Sequence, residues 1–318
     1  MYSRIRSERT APEANGSRGI AVYAWWIKRL ARSAGYLGLG WLKGAPGVGT
    51  HLRASVLGLS LAVRRRLPGH ELTQLILAPL DSVRYFELEF VSKCVSPVGH
   101  LRYLDIGSPR LVPILLLQKN RGWVADLVNP DRADLATTER LVSACDLSAR
   151  ARLHGSTVEE SELPAGAFCL ITCISVLEHI PQPAGAAREI WRALEPGGSL
   201  IVTVPCARES FDEYLDVNDY GILPSDDEGW VFGQRFYDDR SLERELFTVF
   251  GRPVRMEIFG ERRAGVFMET RTAKRTGAYD LAREPYTVAT DYKRYASLAD
   301  VPGIGVVAME FKKAPRVT

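Results

Sequence analysis

Between residues 100 and 206, short apolar runs alternate with segments of helical periodicity. LRYLDIG (101–107), GWVADLV (122–128), AFCLITCIS (167–175) and SLIVTVPC (199–206) read as strands, with a shorter one near Ala151–His154. Segments 110–120, 132–145 and 184–194 space their apolar residues as helices do. Pro113 is tolerated there only because it falls in a first turn. Strands alternating with helices predict a parallel sheet covered on both faces.

The flanks follow other patterns. Downstream, 241–250 predicts a helix, and 253–263 and 303–313 predict two β-rich segments. A polar stretch of roughly forty residues separates them and holds a Tyr-rich piece from Tyr279 to Tyr295. Upstream, Leu80, Val83, Phe86, Phe90 and Cys94 share one helical face, with Asp81 as the expected N-cap. Gly44–Gly49 reads as a linker. Residues 20–43 mix Trp25, Trp26, Tyr36 and Trp41 with Lys28, Arg29, Arg32 and Lys43. That pattern suits a basic amphipathic helix on a membrane surface, or a helix packed on the main domain. Gly35, Gly38 and Gly40 weaken the helix. The division expected is a disordered basic tail (1–19), a basic helical extension (20–78) and an α/β domain (79–318) with an insertion at about 264–302.

Charge sharpens that division. Residues 1–66 hold 12 Arg or Lys against Glu8 and Glu13, about +10, while the rest of the chain is about −7. The basic character belongs to the extension, so no nucleic-acid groove is expected across the main domain. The extension could meet phosphate or an anionic membrane, and peripheral membrane contact is expected through 20–66. Cys94, Cys145, Cys169, Cys173 and Cys206 are odd in number and scattered, with no metal site expected. A reducing, cytoplasmic setting follows. Residues 1–19 lack the apolar core of a signal peptide, and runs such as Val56–Val63 are too short to span a bilayer.

One segment is more specific. FCLITCISVLEHIPQPAGAAREIWRALEPGGSLIVTVP (168–205) contains Leu177-Glu178-His179-Ile180, then Glu189, Arg192 and Leu194, then Pro196-Gly197-Gly198 and an apolar strand. It resembles the class I S-adenosylmethionine-dependent methyltransferases, with Cys169 where Asp is usual. The resemblance implies a Rossmann-like seven-stranded sheet, mostly parallel with an antiparallel last strand. The two β-rich segments near the C-terminus fit that pair. The cofactor implied is S-adenosyl-L-methionine.

The resemblance also implies site residues. Asp105, Gly107 and Ser108 fall in the first loop, beyond the carboxyl end of the first strand. Pro109 and Leu111 stand where the family has glycines. Asp126 is the expected ribose ligand, with Asp131 as the alternative, because a carboxylate accepts two hydroxyl donors. Ser156 and Thr157 would face the adenine, and the backbone of Ile174 and Ser175 the methionine moiety. Arg84 and Tyr85 are further candidates for the cofactor's carboxylate.

His179 is the candidate catalytic base, against a structural role in its turn. Arg235 and Tyr237 lie in a segment rich in acids and aromatics that would cover a small-molecule or glycan acceptor. The function expected is O-methylation by in-line displacement. The alternative is an inactive methyltransferase-fold binding or scaffolding module, suggested by Pro109 and Leu111. A dehydrogenase is disfavoured, since no Gly-x-Gly-x-x-Gly follows a strand.

Overall fold

The computed structural model describes residues 3–7, 21–95, 99–216, 218, 221 and 223–315. Part of the tail expected to be disordered is strand β1 (Ser3–Ser7). Residues 8–20 lie outside the described residues. Four helices follow: α1 (Ala21–Leu42), α2 (Val48–Val63), α3 (Gly69–Leu77) and α4 (Arg84–Cys94). Helix α1 runs through its three glycines. One of them is needed, since a Cβ on Gly40 would sit 2.6 Å from the carbonyl oxygen of Pro285. Asp81 does not cap α4. The N-cap position is Val83, without a side-chain bond, and Asp81 contributes its carbonyl to Arg84 N.

The α/β alternation then runs β2 (Leu101–Ile106), α5 (Leu111–Lys119), β3 (Trp123–Val128), α6 (Arg132–Ala144), β4 (Ala151–His154), β5 (Phe168–Ile174), α7 (Ala184–Ala193) and β6 (Leu194–Ala207). Strand β6 begins before Pro196-Gly197-Gly198 and runs through it. A hairpin of β7 (Phe211–Leu215) and β8 (Val231–Phe236) follows. Helix α8 (Asp239–Leu242) continues through a π-helical turn into α9 (Thr248–Phe250). The chain ends with β9 (Arg255–Glu261), α10 (Val266–Arg275), α11 (Glu284–Asp291), β10 (Tyr292–Tyr295) and β11 (Ile304–Lys312).

The main sheet has eight strands in the order β10-β9-β11-β6-β5-β2-β3-β4, one more than expected. Strands β6, β5, β2, β3 and β4 are parallel, and β11 enters antiparallel between β6 and β9. The extra strand, β10, comes from the expected insertion and pairs with β9 at the edge. A second sheet is ordered β1-β7-β8.

Both faces of the main sheet are covered. One core joins α2, α3, α4, α5 and α6 through Leu61, Leu75, Phe86, Phe90, Ile114 and Leu141, with Trp123 of β3. The other places Ile190, Leu242 and Phe250 against Ile171, Leu200 and Phe311. The extension is built into this body. Ser33 Oγ donates to Leu77 O (2.9 Å), Gly47 N to Glu89 Oε2 (2.7 Å), and His51 Nδ1 meets the Tyr85 hydroxyl at 2.7 Å.

Candidate active site

Strand order reverses beside β2: β3 and β4 lie on one side, β5 and β6 on the other. Open α/β sheets bind ligands at such a switch point, beyond the carboxyl ends of the strands. A cavity of about 1070 Å³ occupies that place. Its floor is the ends of β2, β3 and β5, and its far wall is α3 with Leu67, Pro79 and Leu80. That volume is at the top of the ~300–1,000 Å³ range of small-molecule sites.

The first loop is shaped by Asp105, whose carboxylate accepts the Tyr103 hydroxyl (3.0 Å), Thr172 Oγ1 (2.6 Å) and Ser108 N (3.2 Å). Burial raises its pKa to about 6 against those hydrogen bonds. Asp105 therefore holds the loop from behind and does not line the cavity. Gly107 (φ +53) and Ser108 do line it. The Ser108 hydroxyl accepts Ile174 N at 3.1 Å, which ties the β2 loop to the β5 loop. Pro109 and Leu111, the departures from the family's glycines, turn the chain into α5, with Pro109 O accepting Val112 N.

The second strand differs from expectation. Asp126 is buried and absent from the cavity wall, and its carboxylate meets His154 Nε2 at 2.8 Å and Arg102 Nη2 at 3.2 Å. It lies two residues before the end of β3, too early to reach beyond the sheet. Asn129 and Asp131 line the cavity instead. Asp131 Oδ1 caps α6, accepting Ala133 N and Asp134 N. Its second oxygen takes no part in that cap.

Beyond β4, Ser156 and Thr157 line the cavity as expected, and Thr157 exchanges hydrogen bonds with Glu160. Beyond β5, Ile174 and Ser175 line it too. Ser175 is held in the left-handed region at φ +53, an uncommon backbone state for a side-chain-bearing residue. The restraint is a buried acid on α4. Glu87 Oε1 accepts Ser175 Oγ (2.7 Å) and Thr203 Oγ1 (2.6 Å), while Oε2 accepts Arg84 Nη1 (2.7 Å). Sequence reasoning missed Glu87. The available signal was its spacing, four residues after Val83 and three before Phe90, which puts a charge inside an apolar helix face.

Arg84 lines the cavity beside this network, whereas Tyr85 is fully buried against His51. His179 also lines the cavity, and its Nδ1 is 2.6 Å from Gly233 O. A carbonyl only accepts, so Nδ1 carries the proton and Nε2 is the basic nitrogen. Burial lowers the pKa of this imidazole to about 4. Its neighbour Glu178 is buried, with Oε2 unpartnered, and burial raises its pKa to about 8.

The two residues expected at the acceptor are elsewhere. Arg235 is 5% exposed and outside the cavity, bonded to both Asp212 oxygens (2.9 and 3.3 Å) and to Glu245 Oε2 (2.8 Å). It fastens β8 to β7 and to the π turn. Tyr237 is fully buried in the core, and Asp238 caps α8 through Ser241. The rest of the cavity wall includes Glu71, Gln74, Leu75, Leu80, Ile180 and Leu223. Among the described residues, no group of three or more His, Cys, Asp or Glu could hold a metal ion.

Fold and cavity together are those of the class I methyltransferases, and the chain belongs to the methyltransferase-domain family, whose model matches residues 70–248. The match begins within α3, so part of the helical extension is included. Curated relatives include the ubiquinone biosynthesis O-methyltransferase of Alkalilimnicola ehrlichii, 27% identical over 124 residues, which are 39% of this chain and 49% of that protein. The enzyme of that name from Xylella fastidiosa strain M23 is 32% identical over 127 residues, 39% of this chain and 50% of that one. The chain thus spans about half the length of the curated relatives it matches. Among solved structures, geranyl diphosphate C-methyltransferase from Streptomyces coelicolor is 11% identical, covering 72% of this chain and 76% of that one at a TM-score of 0.48.

Proposed function

We propose that this protein is an S-adenosylmethionine-dependent methyltransferase that methylates a hydroxyl of a small-molecule acceptor. The observation that carries the reading is the single cavity shared by the ends of β2, β3 and β5 and by an opposed wall from α3. A group transfer needs donor and acceptor side by side in a water-poor space, and positioning can supply much of its rate.

The donor set suits the cofactor. It combines a guanidinium (Arg84), a carboxylate (Asp131), the Asn129 amide, two hydroxyls (Ser156, Thr157) and the backbone of Gly107, Ile174 and Ser175. Arg84 would hold the amino-acid carboxylate, Asp131 the ribose hydroxyls, and Ser156 with Thr157 the adenine edge. When bound, S-adenosylmethionine supplies an electrophilic methyl group.

The chain's own work is orientation and proton removal. Glu87 fixes the Ser175 backbone through the hydroxyls of Ser175 and Thr203. The β2 loop is tied to β5 by Ser108. His179 Nε2 is the group positioned to accept a proton from an acceptor hydroxyl, and the Gly233 carbonyl holds the ring in the required tautomer. The acceptor wall is largely apolar, with Glu71 and Gln74 as polar contacts, which favours an amphipathic hydroxylated molecule over a glycan.

The test is a transfer assay with cofactor carrying a labelled methyl group and a panel of hydroxylated aromatic and aliphatic acceptors. Label moving to an acceptor oxygen is the expected result. Tight cofactor binding without transfer to any acceptor would favour the binding-module reading.

A further inference from the structure

Helix α2 has two opposite faces. His51, Ala54, Leu57, Gly58 and Leu61 are buried against the body. Away from them run Leu52, Val56, Leu59 and Val63, at i, i+4, i+7 and i+11, which make one stripe along the helix. These four are 50, 65, 52 and 86% exposed. Trp41 and Leu42, at the end of α1 just before the short connection into α2, are 68 and 73% exposed. An exposed apolar stripe of this kind on a folded protein marks an interaction site.

The charge around the stripe is mainly positive. Between Glu13 and Glu71 the sequence contains no acid. Lys43 precedes α2, Arg53 lies on it, and Arg64, Arg65 and Arg66 follow it directly. Arg53 and Lys119 line one small groove between α2, α4 and α5. Asp146 is the acid that meets this cluster, shared by Arg64 (3.8 Å) and Arg66 (3.1 Å).

We propose that α2 docks the protein on an anionic lipid bilayer. The stripe and Trp41 would sit at the boundary of headgroups and acyl chains, with the arginines on lipid phosphates. An apolar helix face flanked mainly by cations matches such a surface in both polarity and sign. A second copy of the chain matches less well, because a two-fold contact through the stripe would bring two arginine clusters together. The tail also matches less well, since its Arg4, Arg6, Arg9 and Arg18 outnumber Glu8 and Glu13.

The docking unit also builds the acceptor wall: Leu67, Leu75, Pro79 and Leu80 follow α2 directly and face the cavity. Docking would bring that wall to the membrane, where an amphipathic acceptor partitions. This link to the acceptor rests on the methyl-transfer reading, whereas docking itself does not.

The test is flotation of the full chain with phosphatidylcholine vesicles and with vesicles of phosphatidylcholine plus phosphatidylglycerol. Binding to the anionic vesicles is expected to be at least about tenfold stronger and to weaken with salt. Val56→Glu with Val63→Glu, and separately Arg64→Gln with Arg65→Gln and Arg66→Gln, should each lower binding about tenfold. Far-UV circular dichroism and cofactor calorimetry show whether these surface variants keep their fold. The proposal is overturned if the wild type does not float, or if neither variant changes binding. It is also overturned if sedimentation reveals a concentration-dependent dimer that the glutamates abolish. A protein that floats but does not bind cofactor would count against the methyl-transfer reading alone.

Discussion

His179 Nδ1 lies 2.6 Å from the carbonyl oxygen of Gly233, a contact that assigns the ring's proton to Nδ1 and leaves Nε2 as its basic nitrogen. Asparagine can imitate the donating side of this ring while removing Nε2. His179→Asn is therefore expected to keep cofactor affinity and to lower kcat on the order of a hundredfold, within the range of general-base contributions. Steady-state kinetics with parallel cofactor titration checks this. Unchanged kcat would leave His179 as a structural member of its turn.

The two acids of the β3 region are separable. Asp126 is spent on His154 and Arg102, so Asp126→Ala should leave cofactor affinity nearly unchanged and lower stability, because it strands two polar partners. Asp131→Ser preserves a cap for α6 but removes the second oxygen, and cofactor Kd should rise about tenfold. Calorimetry on both variants decides between them. The reverse pattern would return the ribose role to Asp126.

Much of this was legible in the chain. The strands and helices from residue 101 to 206 follow from periodicity, because each element buries a face of matching period. The Leu177–Ile180 turn and Pro196-Gly197-Gly198 pointed to the family. Cavity-lining loops such as Ser156-Thr157 and Ile174-Ser175 were legible because strand ends locate them. Side-chain direction was not legible. Asp126, Arg235 and Tyr237 lie near the right places in sequence but point into ion pairs or core, and a two-residue offset along a strand decides this. Glu87 was missed because its partners, Ser175 and Thr203, are 88 and 116 residues away.

Glu178 gives the fold a pH dependence. Burial raises its carboxyl from an ordinary 4.5 to about 8, so the native state keeps a proton that the unfolded chain releases. Stability from this group is full below pH 4.5 and is lost as pH rises toward 8. His179 and His51, both lowered to about 4, act in the opposite sense, but only below 6.5. Asp105, raised to about 6, has finished titrating by then. Between pH 6.5 and 8 the unfolding free energy should therefore fall by about 1–2 kcal/mol. Denaturant unfolding across that window measures it, and Glu178→Gln should flatten the slope. An equal slope in the variant would assign the effect to other groups.

Gly47 joins the extension to α4. Its φ is +68, and a Cβ there would lie 2.1 Å from Tyr85 O. Gly47→Ala must push α2 away from α4 and disturb the Gly47 N–Glu89 bond (2.7 Å). A loss on the order of 3 kcal/mol is expected in chemical denaturation, from the left-handed backbone and the overlap together. A loss below about 0.5 kcal/mol, the scale of ordinary surface changes, would mean that the extension is not fastened there.

The central claim is that the cavity beyond β2, β3 and β5 takes S-adenosylmethionine although Pro109 and Leu111 replace glycines in its first loop. Isothermal titration calorimetry of the full chain with S-adenosylmethionine tests it most directly. The expected result is saturable binding to one site per chain, weakened by Asp131→Ser and not by Asp126→Ala. No heat of binding at millimolar cofactor would contradict it.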